Sequence, residues 1–177
     1  MLRGNNKFRL ILWGVFPLLL GIIFIYALTR SSYSNVRQYI FLVFLLFGWY
    51  QVGKYFAGQI KNFIAAVVLG NLIGIISFLL FSWQVVFITA EKQSLSLINI
   101  SRAFSAPLTN IVIKVTGIFA KDQIPFIENL SVSYQAIGLL LMMLVFYAGW
   151  LNGRKKIQKY RDKFLAKGTR RKSFSGH

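Results

Sequence analysis

Four stretches of this chain are too long and too apolar to be at ease in water. Residues 10–28, 39–56, 63–88 and 134–151 are dominated by Leu, Ile, Val, Phe, Ala and Gly, and none of them contains Asp, Glu or His. A helix needs about 20 such residues to cross roughly 30 Å of hydrocarbon, and a helix satisfies its own backbone there. The expected fold class is therefore all-α: a polytopic membrane protein with about four transmembrane helices. The composition agrees, being 56% hydrophobic and only 14% charged, against about 25% charged for an ordinary soluble domain.

The runs are not equally clear. The second is interrupted by Gln51 and Lys54, although a lysine near a helix end can extend its stem toward the head groups. The first follows a basic segment, residues 1–9, and so invites comparison with a secretory signal. Its length of about 19 residues exceeds the roughly 7–15 of a signal core, and no small-residue cleavage pattern closes it. It reads as a retained span. Pro17, between Gly14 and Gly21, is tolerable inside a membrane helix and requires no functional role.

Charge sets the expected orientation. There are 21 Lys and Arg against four acids, a net charge of +17. With both termini inside, the cytoplasmic set is Arg3, Lys7, Arg9, Lys54, Lys61 and ten residues of the tail. The outer set is Arg30, Arg37, Lys92, Arg102, Lys114 and Lys121. That division of 15 against 6 selects both termini as cytoplasmic, which an even number of spans permits. Residues 1–9 are then a cytoplasmic N-terminus, 10–153 the membrane domain and 154–177 a basic cytoplasmic tail. Trp13, Trp49, Tyr50, Tyr55, Tyr147 and Trp150 are expected at the inner interface, and Tyr26, Tyr33, Tyr39, Trp83 and Tyr134 near the outer one. The Lys-, Phe- and Ile-rich, cysteine-free composition points to the plasma membrane of a bacterium.

Between the third and fourth runs lies the one sizeable polar segment, residues 89–133. Phe104, Leu108, Ile111, Val115 and Ile118 recur in it at helical spacing. Ser105 and Pro107 suit the start of that helix, and a shorter helix is expected before it, around residues 94–103. Thr109, Asn110, Lys114 and Thr116 form the opposite face. The expectation is an outer amphipathic helix, on the leaflet or folded back over the bundle.

The third run is overlong, since 26 helical residues rise about 39 Å and must tilt or protrude. Ala66, Gly70 and Gly74 stand four apart on one of its faces, the spacing of a helix-packing seam, and Asn71 beside them can hydrogen-bond across it.

In the tail, Arg154, Lys155, Lys156, Lys159, Arg161 and Lys163 are the expected contacts with lipid head groups. Each basic residue near an anionic surface contributes about 1 kcal/mol. Ile157, Tyr160, Phe164 and Leu165 share one helical face, so the tail should begin as a basic amphipathic helix and lose order from Gly168. Nucleic acid is a poor fit as partner, because stacking aromatics are sparse there.

Chemistry at depth is disfavoured. Without cysteine there is no thiolate, without intramembrane Asp, Glu or His there is no proton relay or metal site, and serine has no base nearby. The chain is expected to be no enzyme and to carry no cofactor. The reading is a non-catalytic multi-pass protein, an accessory or scaffolding subunit of a plasma-membrane assembly. Its partners would be anionic lipid and either another membrane protein or a second copy. Two alternatives stand: a small permease subunit holding a neutral substrate through Gln51, Asn71, Gln84 and Gln135, and an insertase-like protein with a ribosome-binding tail.

Overall fold

The computed structural model describes residues 4–30, 35–119 and 128–173, all of it helix and short connections. Tyr33, Lys121 and Pro125 lie outside the described residues, and the Ile118 side chain is not among those described. Helix α1 covers Gly4–Arg30 and carries Pro17 without a break, and α2 covers Asn35–Gln59. The third apolar run forms two helices, α3 (Phe63–Gly70) and α4 (Leu72–Phe87). A single turn of 3-10 helix, Ala90–Lys92, leads to α5 (Leu95–Arg102) and α6 (Ala106–Phe119), and α7 runs from Glu128 to Ser173. Among the described residues, three helices are long and apolar enough to cross a membrane, or four spans if α3 and α4 count as one bent span.

The bend corrects the expectation of one continuous third helix that must tilt or protrude. Helices α3 and α4 meet at 56° across Asn71. The cause is local. The Asn71 amide group folds back so that Nδ2 donates to the Val67 carbonyl at 2.9 Å, the same oxygen that accepts the Asn71 backbone N–H at 3.0 Å. An asparagine that competes in this way for a helix carbonyl is a recognised source of kinks. Asn62 starts α3 firmly, accepting the amides of Ile64 and Ala65 on its side-chain oxygen at 2.9 and 3.4 Å. Bending shortens the reach of the run, so the surplus length needs no protrusion.

Helices α2 and α7 run parallel and share the most extensive contact among the described elements. Their backbones touch at glycines. A Cβ on Gly53 would fall on the Phe146 carbonyl oxygen, one on Gly149 on the Tyr50 carbonyl oxygen, and one on Gly153 would sit 2.9 Å from the Lys54 carbonyl oxygen. Around this axis packs a core of Leu45, Trp49, Phe56, Ala66, Phe104, Met142 and Phe146. The Phe146 ring lies 5.2 Å from Phe56 and 5.4 Å from Trp49.

The distribution of polarity is inverted relative to a water-soluble bundle. Asn71, Gln84, Thr109 and Gln135 are buried, while Ile11, Leu19, Ile23, Ile40, Val43, Phe44, Phe47 and Leu79 are exposed. Soluble monomers rarely expose contiguous apolar patches beyond a few hundred Å².

One end of the bundle holds Leu10, Ile60, Trp150 and Gly153, with Trp150 donating from Nε1 to the Ile60 carbonyl at 3.1 Å. This is called the basic end. Helix α7 continues beyond it, unbroken, to Ser173. Helical order therefore extends past Gly168, where the composition had suggested its loss.

Candidate functional site

The small-residue face of the bent span receives aromatic rings. Ala66 is fully buried, and a Cβ on Gly70 would strike the Phe146 ring, as one on Gly74 would strike the Phe104 ring. A side chain at either place would have to displace a ring, because Phe146 of α7 and Phe104 of the α5–α6 connection occupy the space it would fill. The closest approach of helix backbones lies elsewhere, at Gly53, Gly149 and Gly153. The signal was present in the sequence: Gly149 and Gly153 are four apart, the small-residue spacing that permits close membrane-helix packing.

Asn71 sits at the centre of the molecule, fully buried. Trp49 Nε1 donates to Asn71 Oδ1 at 3.3 Å, and the Trp49 ring meets the edge of Phe104 at 5.7 Å. Trp49 is thus an internal residue, not part of an interfacial belt. Trp150, also expected at the interface, is mostly buried. A tryptophan at depth needs a hydrogen-bond acceptor, and Asn71 and the Ile60 carbonyl supply them.

The four residues considered as ligands for a neutral substrate do not converge. Gln51 is exposed on α2. Gln84 is buried and accepts the Ser94 backbone N–H at 3.1 Å, tying the start of α5 to α4. Gln135 is buried on α7, where it accepts from Thr109 Oγ1 at 3.1 Å and donates through Nε2 to the Arg102 carbonyl at 3.3 Å. Gln84 and Gln135 work as struts between helices.

The segment between α4 and α7 dips into the bundle. The Ala103 backbone packs against Gly21 of α1, and Phe104 reaches the level of Trp49 and Gly74. Ser105 lies beside Gly138, ten residues into α7 and so about 15 Å along it. The expected apolar stripe is only partly turned inward. Phe104 and Leu108 are buried and Ile111 is half-buried, but Val115 is 46% exposed. The opposite face points in instead. Thr109 meets Gln135, Asn110 Nδ2 donates to Gln38 Oε1 at 3.3 Å, Lys114 Nζ donates to the same oxygen, and Thr116 Oγ1 donates to the Tyr134 hydroxyl at 3.2 Å. The difference has a physical reason: Gln38, Gln135 and Tyr134 on the neighbouring helices offer hydrogen-bond partners to the polar face of α6, which turns it toward them.

The basic residues occupy the projecting part of α7. Lys155, Lys156, Lys159, Arg161 and Lys163 are exposed and Arg154 is half-exposed, with its guanidinium 5.9 Å from the Trp150 ring. Lys156 Nζ lies 6.0 Å from the Tyr160 ring. Asp162 makes one weak, exposed contact at 4.0 Å with Arg161, too little to offset the local positive charge. Ile157 and Tyr160 are exposed side by side on this helix.

Among the described residues no three His, Asp or Glu side chains come together as a metal site. Comparison with known proteins returned no match: no family model, no curated protein and no solved structure is significantly similar to the chain.

Proposed function

We propose that this is a multi-pass membrane protein without catalytic activity of its own, an accessory or scaffolding subunit of a plasma-membrane assembly whose working arm is the basic end of α7. The observation that carries the reading is the length and composition of that helix. Its 46 residues rise about 69 Å, more than twice the roughly 30 Å of a hydrocarbon core. The part beyond Gly153 holds ten basic residues and one acid. A stiff, strongly positive rod joined without a hinge to a membrane span suits a protein that presents charge at a fixed distance from the bilayer.

The packed interior supports a scaffold over a conduit. Asn71, Gln84 and Gln135 spend their hydrogen bonds inside the chain, and Phe104, Phe146 and Trp49 fill the space between the helices. Positive residues collect at the end from which the arm emerges, so that end is assigned to the cytoplasm. Anionic lipid head groups are the nearest partner for the first turns of the arm, and a membrane-bound or cytoplasmic assembly is the partner for the rest.

The test is extraction in mild detergent with a photo-crosslinking residue at Lys159. A discrete cross-linked partner is expected, and it should be lost when the basic residues at 154–163 are replaced by Gln. A monomer that forms no defined cross-link would refute the assignment.

A further inference from the structure

A groove opens at the basic end between α1 and the bent α3–α4 pair. It encloses about 290 Å³ and is lined only by apolar side chains and Gly14, among them Ile11, Phe56, Ile60, Leu69 and Ile73. Helix α1 touches α3 at one side of it, where Gly14 faces the Gly70 carbonyl. The floor is closed by Phe56, and the lips are open: Ile11 is 65% and Leu69 53% exposed.

We infer that this groove binds one acyl chain of an anionic phospholipid, with the head group held by Arg9 and Lys61. The inference rests on the membrane reading above. The volume is that of about ten water-sized groups at ~30 Å³ each, and a methylene is of similar size, so roughly half of one tail fits and a whole lipid does not. Water has no polar partner in such a lining and would not enter. An unfilled gap would forfeit dispersion contacts on both walls. A hydrocarbon tail entering from the side meets both conditions.

Filling the groove brings no selectivity, since every lipid tail is equally apolar. Selectivity comes from the charges at its end. Arg9 directly precedes a groove residue, Leu10, and Lys61 directly follows another, Ile60; both cations are exposed. Of the two acids whose side chains are described, Glu91 lies in the turn after α4 and Asp162 on the arm beside Arg161, and neither lines the groove. Trp13 and Tyr55, 6.4 Å apart, link α1 and α2 near the same end, in the position that amphipathic rings take at the head-group level.

Native mass spectrometry of the full chain in mild detergent, with phosphatidylglycerol or phosphatidylcholine added, tests this. One tightly retained lipid per chain is expected, with phosphatidylglycerol favoured at least fivefold. Ile11→Trp with Ile73→Trp should abolish retention by filling the groove. Arg9→Gln with Lys61→Gln should bring phosphatidylglycerol down to the phosphatidylcholine level, whereas Lys92→Gln, an exposed cation in the turn after α4, should leave the retained lipid in place. Equal retention of the two lipids by the native chain, or no change in the charge pair, overturns the site. The charge pair decides alone if the tryptophan pair does not fold, because Arg9 and Lys61 are exposed. A chain that dissolves without detergent would instead overturn the membrane reading itself.

Discussion

Two residues show how closely this interior is specified. Gly149 packs on the Tyr50 carbonyl, and a carbonyl cannot rotate aside as a side chain can. Gly149→Ala is expected to lower stability by about 1–3 kcal/mol, the usual cost of overpacking. Gly58, also helical, has nothing within 4 Å of a Cβ, so Gly58→Ala should be neutral or stabilising by up to about 1 kcal/mol. Thermal unfolding in detergent distinguishes them; equal effects would mean that α2 and α7 are not in backbone contact. For Trp49 and Asn71, a cycle of Trp49→Phe and Asn71→Leu should give a coupling of about 0.6–1.7 kcal/mol, the scale of hydrogen bonds between membrane helices. Zero coupling would remove the bond from the account. The sequence marked Asn71 as a residue that could bond across a seam. It could not show that the donor is a tryptophan 22 positions earlier, because burial of a single indole has no periodic signature.

At the scale of elements, the hydrophobic runs fell within the long helices α1, α2 and α7, but neither the 46-residue length of α7 nor the division of the third run into α3 and α4 was legible in them. The helices at 95–102 and 106–119 were legible from spacing and caps. Their placement was not. Periodicity identifies two faces of a helix but not which one meets the bundle, and here Thr109, Asn110, Lys114 and Thr116 turn toward protein while Val115 is exposed. The break at Asn71 was equally hidden, because one asparagine within a long run does not alter its mean hydropathy. The inserted segment can be tested by covalent trapping, helped by the absence of native cysteine. A Cβ built on Gly138 lies 3.3 Å from the Ser105 Cβ, close to the ~3.5–4.5 Å of a disulfide, and 2.6 Å from Thr109 Oγ1, which Thr109→Ala removes. Ser105→Cys with Gly138→Cys in the Thr109→Ala background should therefore oxidise and lose reactivity to maleimide in denaturant. Two thiols that stay free after oxidation would place the segment on the membrane surface instead.

For the molecule as a whole, the proposed function requires hydrocarbon around the bundle and the two ends of α7 in different compartments. The apolar exterior fits that arrangement and would be costly in water, while the buried amides are satisfied by hydrogen bonds within the chain. Leu95, 75% exposed at the end opposite the arm, and Lys163, exposed on it, report the two compartments. The direct measurement is labelling of single-cysteine variants at these positions with a membrane-impermeant maleimide in intact cells. Leu95→Cys should react at once and Lys163→Cys only after the membrane is opened. Simultaneous labelling of both in intact cells, or recovery of the chain in the soluble fraction without detergent, would contradict the account.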